Sequence, residues 1–144
     1  MRKLITLIFT LLVLFSCNST KDNIKKANAN TPTEKNLEGQ WLWVSATGGF
    51  AGITQTTSDQ KKEIKFSGST LKTYIDGKLS HEQQFFIKTK PSIFGGDKQM
   101  IVIDKRLSVT QEYFIDQSFE IKDGYLILTE ECNDCFTSKY ERVK

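Results

Sequence analysis

The side chains best suited to chemistry are two cysteines near the C-terminus, in the run Cys132–Asn133–Asp134–Cys135. Asn and Asp favour turns, and the ends of a tight turn lie within the Cα separation that a disulfide tolerates. The pattern therefore favours a short disulfide across a turn in an exported protein. Three other states stay open: a redox-active pair with a lowered thiolate pKa, a metal site completed by further ligands, and two free thiols.

Few other residues suggest catalysis. His81 is the only histidine and stands between Ser80 and Glu82 in what we interpret as an exposed, solvated strand. Glu130 and Glu131 are adjacent, and neighbours on a strand point to opposite faces, so they cannot share a substrate. We interpret both as solvated charges beside a turn. Because no nucleophile elbow and no His-Glu-x-x-His pair is present, we predict a protein without catalytic residues, metal or cofactor.

Two glycine-containing loops carry exposed apolar candidates. The segment Gly48–Gly52 lacks the following helix and the Lys–Ser or Lys–Thr pair of a phosphate loop, so we predict a loop at the rim of a sheet. The second loop is Lys88–Asp97. Either loop could flank a cavity or simply connect two strands, with one apolar side chain tucked underneath. The candidate entrance residues are Phe50, Ile53, Ile93 and Phe94.

The N-terminus has the features of an export signal. Arg2 and Lys3 precede a mostly apolar run, Leu4 to Phe15, which is shorter than the roughly 20 residues of a spanning helix. We therefore predict a cleaved signal peptide over residues 1–16. The run Leu14–Phe15–Ser16–Cys17 resembles the lipobox of bacterial lipoproteins. That resemblance implies thioether-linked diacylglycerol on Cys17, cleavage before it, and acylation of the new N-terminus, typically with palmitate; an ordinary signal with an incidental cysteine is the alternative.

A polar segment follows the predicted signal peptide, and the chain that remains after cleavage has little net charge. Residues 17–36 are rich in Asn, Lys and Thr, which cannot bury enough apolar surface to fold, so we predict a flexible tether after the lipidated cysteine. Loss of Arg2 and Lys3 leaves eighteen basic against seventeen acidic residues. No nucleic-acid partner is implied by that balance. We expect a monomer in the bacterial cell envelope, anchored to a membrane and facing the periplasm or the outside.

Residues 37–144 are predicted to form one all-β domain, an antiparallel sandwich or barrel. Apolar residues alternate with polar ones in short segments, as in Ile64 and Phe66, and this period is typical of half-buried strands. Asp76–Gly77 and Asp123–Gly124 predict two tight hairpins. The predicted strands are Trp41–Ala46, Lys61–Ser67, Thr70–Ile75, Lys78–Ile87, Gln99–Asp104, Gln111–Asp116, Ser118–Lys122, Tyr125–Glu130 and Thr137–Arg142.

Both ends of this domain resemble a known family. Gly39–Gln40–Trp41 is similar to the Gly-x-Trp signature that opens the first strand of lipocalins, and Tyr140-x-Arg142 stands where related barrels place a basic residue. With Leu37 and the Gly48–Gly52 loop, the pattern resembles the lipocalin-like domains of small bacterial lipoproteins. The resemblance implies an antiparallel up-and-down barrel of about eight strands. It also implies that Arg142 covers the Trp41 ring and closes the barrel, a structural role.

The resemblance implies binding without catalysis. A barrel of this size has room for one small ligand, and the leading hypothesis is a small hydrophobic molecule in its cavity. The alternative is an envelope interaction module, whose interior is filled by aromatic residues and whose loops bind protein or glycan. An enzyme would require polar residues that converge in one pocket.

Overall fold

The computed structural model describes residues 34–56, 60–106 and 114–144. Residues 1–33, which include the predicted signal peptide and the candidate lipidation site Cys17, lie outside the described residues. Within the described ranges, no helix is long and apolar enough to cross a membrane. The elements are α1 (Glu34–Leu37), β1 (Gly39–Gly48), β2 (Ile53–Thr56), β3 (Lys62–Ser67), β4 (Thr70–Ile75), β5 (Lys78–Pro91), β6 (Asp97–Ile103), β7 (Gln117–Lys122), β8 (Tyr125–Glu130) and β9 (Phe136–Arg142).

Eight of the nine strands close an antiparallel barrel. Each strand from β3 to β8 pairs with the next along the chain, and β1 pairs with both β3 and β9. Because β1 bonds to the first and last strands of that series, the sheet has no free edge at this seam. The prediction of an all-β, up-and-down, lipocalin-like barrel of about eight strands is confirmed.

Strand β1 changes partner along its length. Its first half pairs with β3, up to Leu42 opposite Glu63. Its second half pairs instead with the short strand β2, from Ser45 opposite Thr56. The wall therefore forks between β1 and β3, and Lys62, the first residue of β3, lies at the fork.

The two Asp-Gly hairpins form as predicted. Both central residues of each turn have positive φ: 49° and 76° at Asp76–Gly77, and 53° and 81° at Asp123–Gly124. Such values match the twist of the flanking strands and favour Asp and Gly. These turns join β4 to β5 and β7 to β8.

The end of the barrel where β1 begins and β9 ends is closed, and we call it the floor. Trp41 and Leu37 are fully buried there, and the Trp41 indole N–H donates to the Leu37 carbonyl at 2.8 Å. The Arg142 guanidinium lies 4.1 Å from the Trp41 ring and donates to the carbonyls of Glu38 and Asn36, both at 2.6 Å. The Asn36 carbonyl, just before the predicted domain boundary at residue 37, thus takes part in the floor.

Gly39 has a defined role in this floor. Its φ is 114°, a value that side-chain-bearing residues rarely adopt. A Cβ at this position would lie 3.0 Å from a terminal nitrogen of Arg142. The glycine of the Gly-x-Trp signature therefore leaves room for the guanidinium that covers Trp41.

Three elements differ from the predicted strands. The predicted strand Gln111–Asp116 is wrong over its described part, since residues 114–116 are irregular and β7 begins only at Gln117. Strand β2 was not predicted, because its four exposed residues have no alternating burial. Strand β5 extends to Pro91 and so includes part of the predicted loop Lys88–Asp97. Pro91 is compatible with the strand because it is the last residue, where a missing N–H is tolerated.

Candidate functional site

The half of the barrel away from the floor, where β3 begins and β8 ends, contains two adjoining cavities. The inner cavity, of about 410 Å³, reaches down to the buried core and is lined partly by Ile64, Leu71, Ile101, Leu128 and Tyr140. These side chains come from five different strands, because alternate residues of every strand face the interior of a barrel. We call this half the mouth half.

The outer cavity, of about 640 Å³, lies at the fork in the wall. Residues of β1, β2 and β9 line it, among them Trp43, Thr54 and Ser138. Three residues line both cavities: Gln60, Lys62 and Glu130. These shared residues mark where the two cavities meet.

Lys62 and Glu130 place two opposite charges at this junction. Partial burial lowers the pKa of the Lys62 ammonium, and the nearby Glu130 carboxylate opposes that shift by Coulombic attraction. Glu130 also accepts a hydrogen bond from the backbone N–H of Phe136 at 3.1 Å. The carboxylate is thereby held by the wall, in the turn that leads from β8 to β9.

Amides and hydroxyls surround the charged pair. Gln83 and Gln117 line the inner cavity, as do Ser80 and His81. The Ser80 hydroxyl lies 2.8 Å from Nδ1 of His81, a contact between two exposed sequence neighbours. The lining of the inner cavity is therefore mixed: apolar Ile75 lies opposite Lys62, and polar Gln83 lies opposite Leu71.

The turn between β8 and β9 contains the cysteine pair. Cys132 and Cys135 are joined by a disulfide, with their Cα atoms 5.6 Å apart. Their sulfur atoms lie close to the Glu130 carboxylate, but metals bind thiolates rather than a disulfide. The Cys135 carbonyl in the bridged turn accepts a hydrogen bond from the Gly49 N–H at 3.3 Å. A Cβ at Gly48 would lie only 2.1 Å from that carbonyl oxygen.

Glu131 faces away from the cavities and holds the loop between β5 and β6. Its carboxylate accepts hydrogen bonds from the Ser92 hydroxyl at 2.9 Å and from the Ile93 N–H at 3.0 Å. Burial raises the pKa of this carboxyl, but the hydrogen bonds from Ser118, Ser92 and Ile93 outweigh that effect and the net pKa is lowered. The neighbouring pair Glu130 and Glu131 thus does point to opposite faces, as the strand geometry predicts.

The four candidate entrance residues are exposed, and neither cavity is lined by them. Phe50 is 95% exposed and Ile53 is 56% exposed, on the connection from β1 to β2 and at the start of β2. Ile93 and Phe94 are 54% and 57% exposed on the loop that Glu131 holds. Ile93 lines a separate outer groove together with Met100 and Cys132. A role for these residues in ligand access stays a prediction.

Sequence reasoning missed the two charged residues that line both cavities. Lys62 stands two positions before Ile64, and Glu130 stands two positions after Leu128. In each case the period of two already indicates the face shared with the core. What the period cannot tell is whether the end of a strand still lies inside the closed wall, and we therefore interpreted Glu130 as solvated.

No family model, no curated protein and no solved structure matches this chain.

Proposed function

We propose that the barrel binds one small, partly apolar molecule in its mouth half, without catalysis, as the binding domain of an envelope lipoprotein anchored through Cys17. The observation that carries this proposal is the inner cavity. Its volume of about 410 Å³ falls in the range of small-molecule sites, about 300–1,000 Å³. Its lining combines apolar side chains with a comparable number of polar ones, which suits a ligand that has both an apolar and a polar part.

The partly filled interior favours a carrier over a packed barrel. Aromatic side chains do fill the floor, where the rings of Phe66 and Phe85 meet edge to face with centroids 5.4 Å apart. Above Ile64 and Tyr140 the same wall lines an open cavity instead. A wholly packed interior would leave no room for a ligand.

Ligand binding is tested by filling the cavity from its wall. Ile103 lines the inner cavity, whereas Val102, its neighbour on β6, does not. We expect Ile103→Trp to weaken binding of a fluorescent fatty-acid probe at least tenfold, and Val102→Trp to leave the affinity within twofold of wild type. Equal binding by all three proteins, or no binding by wild type, would contradict the proposal.

The lipid anchor is tested separately. If Cys17 is acylated, cells fed an alkyne-labelled palmitate will incorporate the label into the wild-type protein and not into Cys17→Ser. The wild-type protein would then fractionate with membranes. If the wild-type protein stays unlabelled, the proposed lipid anchor is contradicted and the proposed ligand cavity is unaffected.

The absence of catalysis is part of the proposal and has its own test. The Ser80–His81 contact is the arrangement that a hydrolase would use, with the ring taking the hydroxyl proton. Because both residues are exposed sequence neighbours, we expect wild type and Ser80→Ala to cleave p-nitrophenyl esters at the same slow rate. A rate that drops in Ser80→Ala would contradict this part of the proposal.

A second candidate function is an interaction module, which the exposed loop residues favour. Phe50 and Phe94 offer large apolar surface to solvent, and exposed apolar groups of this kind serve as contacts for partners. In that function a protein or glycan would bind the loops. Phe50→Ser combined with Phe94→Ser would then abolish partner binding and leave probe binding in the cavity unchanged.

A further inference from the structure

The charged pair at the cavity junction is asymmetric in its contacts. The Glu130 carboxylate is bound by the Phe136 N–H at 3.1 Å. No ion pair that the structure places between described residues includes the Lys62 ammonium. Among the described residues, the Lys62 ammonium therefore has no carboxylate oxygen within ion-pair distance.

The fork in the wall explains why Lys62 is in this state. On β3, Ile64 and Phe66 face the core and are almost completely buried, and Lys62 shares their face. Its partner across the sheet is Ile75 of β4, whereas β1 has already turned to pair with β2. The ammonium thus extends between the inner and outer cavities, where it is only partly hydrated.

The ionisable groups near Lys62 on the other strands compensate only part of the positive charge of its ammonium. Glu130 of β8 lines the same junction, while Tyr140 of β9 and His81 of β5 line the inner cavity. Burial raises the pKa of the Tyr140 hydroxyl, which keeps it uncharged. Burial also outweighs Glu130 in its effect on the pKa of Lys62, so a second anion would stabilise the ammonium.

We infer that the cavity selects an amphipathic carboxylate, whose apolar chain lies on the apolar wall of the inner cavity and whose carboxylate binds the Lys62 ammonium. The inference rests on the proposed function, that the cavity holds a ligand, and adds the chemical class of that ligand. The apolar wall below Lys62 is formed by Ile64, Leu71, Ile101 and Leu128. Gln60 and Gln117 offer amide N–H groups near the same level.

Matched ligands test the head group directly. Dodecanoate, dodecanol and dodecyltrimethylammonium share one chain and differ in charge, and their affinities for the full-length protein are measured by displacement of a neutral fluorescent probe. A charge-assisted contact is about twice as strong as a neutral one. We therefore expect dodecanoate to bind wild type at least about tenfold more tightly than dodecanol, and the cationic ligand to bind most weakly.

Two lysines on one strand provide the matched variants. Lys62→Met should reduce the preference for dodecanoate over dodecanol to less than about twofold. Lys65→Met, which removes an exposed lysine of the same strand, should keep the full preference. Glu130→Gln should increase it, because this change removes the negative charge that competes with the ligand. Lys62→Arg keeps the cation and should keep the preference, which covers the case that Lys62→Met does not fold.

The outcomes separate the two levels of the proposal. If dodecanoate and dodecanol bind wild type equally and Ile103→Trp still blocks both, the carboxylate inference is overturned and the carrier function stands. A preference that persists in Lys62→Met would also overturn it. If no ligand binds wild type, the proposed function fails together with the inference.

Discussion

The floor and the mouth half are built from the same strands but are filled in opposite ways. At the floor, Trp41, Leu37 and Arg142 form one interlocked unit in which the indole N–H and both terminal guanidinium nitrogens donate to backbone carbonyls. In the mouth half, Lys62 and Glu130 line space that the protein itself leaves unfilled. The difference is visible along single strands: β3 runs from Lys62 through Ile64 to Phe66, and polarity falls toward the floor.

This gradient indicates that the residues that stabilise the fold and the residues that line the proposed binding site lie at different levels of the barrel axis. Strand β8 repeats it in the opposite direction, from Leu126 through Leu128 to Glu130. Apolar burial toward the floor stabilises the fold, since that contribution scales with buried apolar area. The mouth half can then carry charges and a cavity without unfolding the domain.

The largest expected effect compares the two tryptophans of β1. Trp41 is fully buried at the floor, whereas Trp43 is only partly buried and lines the outer cavity. We expect Trp41→Ala to lower the free energy of unfolding by about 3–5 kcal/mol, and Trp43→Ala to lower it by only about 1 kcal/mol. Urea denaturation followed by circular dichroism measures both, and equal losses would abolish the distinction between floor and mouth.

Arg142 tests how the floor is closed. Replacement by Met keeps much of the side-chain volume but removes two hydrogen bonds to backbone carbonyls and the contact with Trp41. We expect a loss of about 2–3 kcal/mol in unfolding free energy. Arg142→Lys should lose less, because it keeps the charge without the forked donors. A Met variant as stable as wild type would show that the guanidinium covers the floor without contributing to the free energy of unfolding.

The disulfide provides the corresponding test at the mouth. A bridge that closes so short a loop contributes at most about 2 kcal/mol by chain entropy, so we expect the double change Cys132→Ser and Cys135→Ser to cost about 1–2 kcal/mol. Faster hydrogen exchange should be confined to the bridged turn and to Gly49 and Ile93, whose N–H groups bond to that turn. Loss of protection at Trp41 would contradict the separation of the two ends.

The smallest expected effect is a pH dependence at Lys62. Because its pKa is lowered in the folded protein, its charge destabilises the fold fully at pH values below that folded pKa. The penalty is relieved as pH rises from the folded pKa toward the unfolded value near 10.4, since only the unfolded state then keeps the proton. Wild type should therefore gain stability relative to Lys62→Met over that range.

The control for the pH series is Lys65→Met, which removes one positive charge from the exposed face of β3. Glu130, Tyr140 and His81, which also line the inner cavity, are present in all three proteins of this comparison. Urea denaturation at a series of alkaline pH values gives the difference. A wild-type protein that loses stability relative to Lys62→Met as pH rises would reverse the sign and contradict a lowered pKa.

The sequence predicted most of the strands because their signals are local, whereas the closed barrel was implied by the resemblance of the two domain ends to lipocalins. Alternation places Ile64 and Phe66 on one face, and the two Asp-Gly pairs set the positions of two hairpins. The predicted strand over residues 111–116 was wrong in its described part, since Phe114 and Ile115 are apolar yet line the inner cavity from an irregular segment. An apolar composition alone does not distinguish a strand from a coil that packs on the cavity.

The candidate site was harder to predict than the fold. Lys62 and Glu130 stand at strand ends next to turns, where charged residues are usually solvated. Their position inside the barrel depends on the change of partner along β1 and on the closure of β1 with β9, which are long-range pairings. The glycine-rich loop, by contrast, predicts a cavity entrance at the exposed Phe50, which lines neither cavity.

The most direct test of the central claim, that the mouth half holds a ligand, is native mass spectrometry of the full-length protein purified gently from the cells that produce it. The account predicts a retained small molecule that is released on denaturation, carries a carboxylate and is absent from Ile103→Trp. A bare protein mass for wild type, or the same adduct on wild type and Ile103→Trp, would contradict it.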